Sequence, residues 1–276
     1  MNPERQLRLP AACTRLGGGD ETGRHYVLVH PGALAADAWH AIAGKLAQDG
    51  EVHMLDLQSI PEYQVLMGRG TTVSMLAESL LDAFNREAGN RGALTLVGWS
   101  FGGVVAHQMA SLLPEQVERV VLVDSIAPTD ENQDRAADLH SLPVAWWLQQ
   151  YLEAKRRRTL GRNVRVSTMD ELFAASLESG VFPPGTPRSG FDKVAEAFVA
   201  ALERNTRLTS IHVAPRLDIP LDIIRPERSL IDEPGTLGWD CLTTVPVRTY
   251  TCSGTHYSVF SDPAAVGVIT DVALQH

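Results

Sequence analysis

A serine flanked by glycines is the first group in the chain that suggests chemistry. Gly98-Trp99-Ser100-Phe101-Gly102 has the spacing G-x-S-x-G and stands between a strand-like and a helix-like segment. In a strand-to-helix turn this tight, side chains two residues either side of the serine would clash, and glycine removes them. The turn lifts the Ser100 hydroxyl to the edge of a sheet, where the N-terminus of the following helix favours negative charge. The motif therefore predicts a nucleophilic serine.

A serine hydroxyl is a weak nucleophile, so it needs a base and an acid that orients the base. Among nine histidines, His256 follows the last predicted strand and precedes the last predicted helix. Such a loop lies at the same edge of the sheet as Ser100, so His256 is the predicted base. His107 falls on the helix that follows Ser100, where we expect it to be packed rather than reactive.

The orienting acid has candidates in two regions. Asp124 ends the predicted strand that follows the Ser100 helix, in Val-Leu-Val-Asp-Ser. Glu227 and Asp232 come after the next predicted strand. Both regions reach the edge of the sheet where Ser100 and His256 are expected. The spacing of the residues alone leaves the two alternatives open.

Backbone N–H groups are expected to stabilise the negative charge that develops on the substrate oxygen. One belongs to Phe101, the residue after the predicted nucleophile. The other must lie in the loop after the first buried strand, His30-Pro31-Gly32-Ala33, where Gly32 and Ala33 are the candidates.

Alternating strands and helices must position these groups. The predicted strands cover 25–30, 51–58, 93–99, 119–125, 219–226 and 245–252, and the predicted helices cover 36–50, 71–90, 101–113 and 262–275. This alternation predicts an α/β fold with a mostly parallel sheet, in a single domain over 1–276. Residues 1–24 are expected to be a poorly ordered lead-in. Residues 128–215 read as three helical segments without strands, an insertion over one edge of the sheet.

Composition excludes several classes of protein. The chain has 276 residues and a net charge of −9 from 24 Lys+Arg and 33 Asp+Glu, which argues against a nucleic-acid binder. Its 44% hydrophobic content suffices for a core, and no stretch is long and apolar enough to cross a membrane. No secretory signal is recognised, and three scattered cysteines suggest neither a disulfide framework nor a zinc site. We therefore expect a cytoplasmic protein without metal.

Three motif blocks in this order resemble one enzyme family. The blocks GWSFGGVVAHQMA, VVLVDSIAP and SGTHYSVF, spread over about residues 25–274, resemble the thioesterase domains of nonribosomal peptide and polyketide synthases. The resemblance implies an α/β-hydrolase fold and favours Asp124 as the acid. It also implies that 128–215 forms a lid over an apolar substrate channel. Candidate channel residues are Trp146, Trp147 and Tyr151.

The resemblance also implies an activity. An acyl or peptidyl chain would pass from a carrier protein's phosphopantetheine arm to Ser100, and then leave by hydrolysis or macrocyclisation without a metal or redox cofactor. The basic run Lys155, Arg156, Arg157 and Arg158 is a candidate either to steer the docking of an acidic carrier or to contact the phosphate of its arm. The family's HPxGG-like block appears here without its second glycine, which leaves the second N–H donor open. A short lead-in favours a monomer.

Two rival functions remain at the level of sequence. A general carboxylesterase or lipase would use the same Ser-His-Asp triad on a free ester. A binding protein with a hydrolase fold would hold a ligand without turnover. The presence of serine, acid and histidine at matching positions weighs against the binding protein.

Overall fold

The computed structural model describes residues 11–19, 23–32, 36–64, 70–89, 92–129, 144–161, 166–229, 231 and 235–275. These residues form a seven-stranded sheet. Its strands are β1 (Cys13–Gly17), β2 (Arg24–His30), β3 (Glu51–Asp56), β4 (Ala93–Trp99), β5 (Val117–Val123), β6 (Leu221–Arg228) and β7 (Arg248–Thr255). Their spatial order is β1-β3-β2-β4-β5-β6-β7, with β1 antiparallel to β3 and the other neighbours parallel.

Helices cover both faces of this sheet. They are α1 (His40–Leu46), α2 (Pro61–Gln64), α3 (Val73–Ala88), α4 (Phe101–Leu112), α5 (Val144–Arg156), α6 (Met169–Glu178), α7 (Arg188–Ser210) and α8 (Pro263–Ala273). The helices α3 and α4 pack together on one face, and α1 and α8 pack together on the other. The central strands are buried on both sides, which explains their continuous runs of Val and Leu. The predicted α/β fold is confirmed.

The lead-in differs from its expectation. Residues Cys13–Gly17, predicted to be poorly ordered, form the antiparallel edge strand β1. Cys13 is buried against the core, while Arg15 pairs with Glu51 of β3 at 2.5 Å. Strand β1 thereby satisfies backbone groups of β3 that would otherwise form an open edge. Composition does not reveal this pairing, because its partners lie some forty residues away along the chain.

The predicted insertion contains three helices between β5 and β6. They are α5, α6 and α7, and residues 130–143 and 162–165 of the segment lie outside the described ranges. Helix α6 begins with a capping box in which Thr168 and Glu171 satisfy each other's backbone N–H groups. Helix α7 contacts both α4 and α5, which places the insertion beside the helix that starts at Phe101. Its function as a lid stays a prediction.

Candidate active site

The turn at Ser100 has the strained geometry that its glycines predict. Ser100 has φ 54° and ψ −129°, a conformation that L-residues rarely adopt, and its N–H donates to the Val123 carbonyl at 3.0 Å. A Cβ added to Gly98 would lie 2.5 Å from the Gly102 carbonyl oxygen, and one added to Gly102 would collide with the Val29 carbonyl oxygen. Only glycine fits at both positions, so β4 and α4 can approach closely enough to hold Ser100 between them.

Asp124 and His256 form a buried pair beside this turn. Strand β5 ends at Val123, and Asp124 follows it with φ 45° and its N–H donated to the Ile224 carbonyl at 2.8 Å. The Asp124 Oδ2 atom lies 2.7 Å from Nδ1 of His256, and both side chains are at least nine-tenths buried. A carboxylate only accepts hydrogen bonds, so Nδ1 carries the proton and Nε2 is left as a base.

Aromatic rings fix the orientation of His256. Trp99 donates its indole N–H to the His256 carbonyl oxygen at 3.0 Å, and the two rings lie 5.1 Å apart. Tyr257 contacts the imidazole edge-on, with ring centroids 4.8 Å apart. Burial raises the pKa of the Tyr257 phenol, so this ring remains neutral at physiological pH. The imidazole is therefore held by packing as well as by Asp124.

Ser229 is a residue of this site that the sequence analysis missed. Its hydroxyl donates to Asp124 Oδ1 at 2.6 Å and accepts the Ile231 N–H at 2.9 Å. It follows β6, the region in which Glu227 and Asp232 were the alternative acids. Glu227 is exposed, and Asp232 lies outside the described residues. A serine after a strand has no distinctive sequence signal, so only the structure reveals this contact.

A cavity of about 790 Å³ opens at the carboxyl ends of the strands, with Ser100 and His256 in its wall. Trp147 and Tyr151 of α5 line it, as the channel prediction expects. The prediction that Trp146 lines this channel is wrong. Trp146 lies outside the cavity lining found among the described residues and packs edge-on against Trp147, with ring centroids 6.0 Å apart. Successive residues on a helix point about 100° apart, and here Trp147 is the one that faces the cavity.

Two of the three residues named for oxyanion binding also line the cavity. Phe101 opens α4, where the first backbone N–H groups have no partner within the helix. Gly32 has φ 77°, and its carbonyl oxygen accepts the side-chain amide of Gln58. Ala33 lies outside the described residues. The oxyanion role of these groups stays a prediction.

The basic run divides between the cavity and the surface. Lys155 lines the cavity and donates to the Tyr151 hydroxyl at 2.8 Å. The Arg156 guanidinium lies 5.8 Å from the centroid of the Phe182 ring, and Arg158 donates to the Gly180 carbonyl at 3.3 Å. Arg157 is exposed at the end of α5, with φ 50°. A carrier-docking role for the run stays a prediction.

His107 is packed rather than reactive, as expected. It is fully buried, and its ring lies 5.0 Å from that of Trp239. Burial lowers its pKa from 6.5 to about 4. His107 is therefore neutral at physiological pH, on the side of α4 that faces the core.

One group of side chains has the composition of a metal site. Ligand atoms of His25, Glu51 and His53 lie within 4.8 Å of one another near the amino ends of β2 and β3. Histidine and glutamate are zinc ligands, although Glu51 already pairs with Arg15. The group lies at the opposite end of the strands from Ser100, so it does not belong to this site. The expected absence of a metal is untested.

Comparisons with known proteins agree with the fold. A family model described as alpha/beta hydrolase fold matches residues 26–179, more than half of the chain. The chain therefore belongs to the α/β-hydrolase fold family. Within its described part, the chain has no helix long and apolar enough to cross a membrane.

The curated relatives include esterases that act on a carrier-bound substrate. The pimeloyl-[acyl-carrier protein] methyl ester esterase of Klebsiella pneumoniae is 32% identical over 155 residues, 56% of this chain and 55% of that protein. The enzyme of the same name from Salmonella newport is 36% identical over 101 residues, 37% of this chain and 36% of that protein. The chain thus spans about half, or less, of the length of these relatives.

Solved structures with this fold include thioesterase domains. A four-domain nonribosomal peptide synthetase, holo-AB3403, superposes with a TM-score of 0.67 at 18% identity, covering 98% of this chain and 20% of the synthetase. The NocB thioesterase domain from the nocardicin cluster superposes with a TM-score of 0.59 at 23% identity, covering 96% of this chain and 99% of that domain. RedJ thioesterase of Streptomyces coelicolor gives 0.58 at 19% identity, covering 92% and 85%. At these identities the likeness is one of fold.

Proposed function

We propose that this chain is a thioesterase, which releases an acyl or peptidyl chain from the phosphopantetheine arm of a carrier protein through an acyl-Ser100 intermediate. One observation carries the proposal: Ser100 at a strained turn and the His256–Asp124 pair, 2.7 Å apart, face a single cavity of about 790 Å³. A nucleophile, a base and an orienting acid around space for a substrate are what acyl transfer requires.

The reaction follows from these three side chains. His256 Nε2 takes the Ser100 proton as Oγ attacks the thioester carbonyl. The C–S bond breaks, and the pantetheine thiol leaves with the proton from His256. Water, deprotonated by His256, then attacks the acyl-Ser100 ester and releases an acid. A hydroxyl or amine of the same chain would release a ring instead.

The Ser100 hydroxyl and the His256 ring form no hydrogen bond among the described contacts. Catalytic hydrogen bonds of this kind often tighten only when substrate binds, so the arrangement is compatible with the mechanism. In the bound state, the backbone N–H groups of Phe101 and Gly32 or Ala33 would hold the oxyanion. A helix N-terminus at Phe101 adds to this stabilisation.

The walls of the cavity favour an acyl chain. Apolar side chains from three helices line it: Val104 of α4, Trp147 of α5 and Phe198 of α7. Burial of such a chain against these side chains contributes about 25 cal/mol per Å² of apolar surface. Because α5 and α7 belong to the 128–215 insertion, we assign that insertion the role of a lid over the substrate.

An oxygen-ester hydrolase is the second candidate. The two curated relatives are methyl ester esterases whose names specify a carrier-bound substrate. The same three side chains would cleave an ester, with His256 protonating the leaving alcohol. Thioester and ester differ in that step, because an alkoxide needs the proton more than a thiolate does.

The deciding experiment compares matched substrates. The protein is mixed with N-acetylcysteamine thioesters and with methyl esters of the same acyl chains, followed by intact mass and product analysis. We expect an acyl adduct on the peptide that contains Ser100, and faster turnover of the thioesters. Turnover restricted to the methyl esters would favour the second candidate. An adduct at another residue would overturn the mechanism.

Carrier recognition has its own test. Charge reversal of the exposed Arg157, as Arg157→Glu, should weaken turnover of a carrier-bound thioester and leave the N-acetylcysteamine thioester unaffected. Both effects follow if the run contacts an acidic carrier rather than the acyl chain. If Arg157→Glu leaves the rate with the carrier-bound thioester unchanged, or lowers the rates with both substrates equally, Arg157 is not part of the docking surface.

A further inference from the structure

The cavity is opposite in charge to the protein around it. The whole chain carries a net charge of −9, but three cations line the cavity: Lys155, Lys193 and Arg204. Within the described lining, Asp124 is the one carboxylate, and it is already bonded to His256 and Ser229. A concave site with this excess of positive charge concentrates anions.

Arg204 differs from the two lysines in its surroundings. Lys155 donates to the Tyr151 hydroxyl, and Lys193 is exposed to solvent. The guanidinium of Arg204 lies 4.0 Å from the centroid of the Tyr63 ring, while its Nε atom is buried without a hydrogen-bond partner. No carboxylate in the described part of the chain forms an ion pair with it. Arg204 thus places a positive charge without an ion-pair partner among the described residues in the cavity wall, held against the Tyr63 ring.

Tyr63 connects this cation to the nucleophile. Its hydroxyl lies 2.7 Å from Asn205 Oδ1 and 3.0 Å from the Pro31 carbonyl oxygen, so residues from two distant parts of the chain hold this hydroxyl. The ring also stacks on Phe101, with centroids 6.3 Å apart and an interplanar angle of 16°. Phe101 directly follows Ser100. One rigid ring therefore contacts both Arg204 and the residue beside the nucleophile.

We infer that Arg204 binds an anionic group of the substrate while the carbonyl of the same molecule is held at Ser100. This rests on the proposed function and narrows its substrate class. A guanidinium recognises a carboxylate or a phosphate through two parallel N–H donors. The anion is either a carboxylate on the acyl chain or the phosphate of the pantetheine arm.

The test uses pairs of substrates that differ by one anionic group. Adipoyl N-acetylcysteamine thioester carries a carboxylate, and its monomethyl ester is a neutral analogue of nearly the same shape. Hexanoyl thioesters of pantetheine and of phosphopantetheine differ only in the phosphate. Each is measured with wild type, Arg204→Met and Arg207→Met. Arg207 is the matched control, because it is exposed on α7 and outside the cavity lining.

We expect Arg204→Met to lower kcat/KM for one charged substrate by about tenfold to a hundredfold relative to its neutral partner. A loss limited to the adipoyl thioester identifies the acyl carboxylate as the ligand. A loss limited to the phosphopantetheine thioester identifies the phosphate. Equal losses on charged and neutral partners, no loss, or the same selectivity change in Arg207→Met would overturn the inference.

A binding measurement separates this inference from the proposed function. The adipoyl amide of pantetheine and its monomethyl ester cannot undergo thioester cleavage, and calorimetry with Ser100→Ala measures their Kd values. We expect tighter binding of the charged amide and loss of that preference when Arg204→Met is added. If wild type cleaves no thioester but the charged amide binds more tightly than its ester, the proposed thioesterase activity is wrong and the anion site is supported. Absence of the preference, together with uniform kinetics, overturns the anion site alone.

Discussion

The Ser229 hydroxyl donates to Oδ1 of Asp124 at 2.6 Å, while Oδ2 of the same carboxylate faces His256. Each oxygen thus has its own partner, so rotation of the carboxylate would break two hydrogen bonds. Ser229 is itself fixed by the Ile231 N–H. The residue directly after β6 therefore supplies a hydroxyl that orients Asp124.

Ser229→Ala should act on the turnover step. Asp124 would keep its charge but lose one of the bonds that set its plane, so we expect kcat to fall about tenfold with KM little changed. Ser229→Thr retains a hydroxyl and should restore most of the rate. The check is steady-state kinetics on one thioester. An equal loss in both variants would indicate a packing effect instead.

Asp124→Asn tests the assignment of the acid. An amide at this position would favour the wrong tautomer of His256, and we expect kcat to fall by about 10³- to 10⁴-fold. Glu227→Gln and Asp232→Asn should stay near the wild-type rate. The three variants are compared with the same substrate. A large loss in Asp232→Asn with little in Asp124→Asn would reverse the assignment.

Two substitutions of Ser100 distinguish its role as a nucleophile from the strain in its backbone. Ser100→Ala should abolish labelling by a fluorophosphonate probe and leave the thermal midpoint almost unchanged, since it retains a Cβ at φ 54°. Ser100→Gly should abolish labelling too, but raise the free energy of unfolding by about 1 kcal/mol through relief of the strained backbone. Urea unfolding measures the stability of both variants, and mass spectrometry measures their labelling. Equal stability of the Ala and Gly variants would contradict this expected gain.

The burial of His107 should make the protein less stable in mild acid. Its pKa is about 4 in the folded protein and 6.5 ordinarily, so below pH 6.5 the unfolded chain binds a proton that the folded chain does not. Because of His107, the free energy of unfolding should fall by roughly 2 kcal/mol from pH 7 to pH 5, and this effect should level off below pH 4. His107→Leu should flatten the pH dependence of urea unfolding by that amount. An unchanged slope would contradict the assigned burial effect.

The cysteines should differ in reactivity. Burial raises the pKa of both Cys13 and Cys252 to about 12, and Cys241 is exposed. Iodoacetamide at pH 8 under native conditions should therefore modify Cys241 well before the other two, because the thiolate is the reacting form. Peptide mapping after timed quenching follows each site. Early modification of Cys252 would show that the strand β7 opens near the candidate site.

Much of the site is local in origin and was predictable. The glycines around Ser100, the Val-rich run that ends at Asp124 and the loop that carries His256 each have a pattern within a few residues. The N-cap of α8 is similar, since Asp262 accepts the Ala264 N–H at 2.9 Å with proline at the next position. These features depend on backbone sterics and on hydrogen bonds between close neighbours in sequence, which the order of residues specifies directly.

What required the tertiary structure are contacts between distant parts of the chain. The Ser229–Asp124 bond spans 105 positions, and the choice of Asp124 over Glu227 depends on where β6 lies beside β5. The same applies to β1 at the sheet edge, to Trp147 in place of Trp146, and to Arg204 over Tyr63. The sequence by itself determined which residue types and elements are present. Only packing and strand register, which sum many weak long-range interactions, decided which side chains meet.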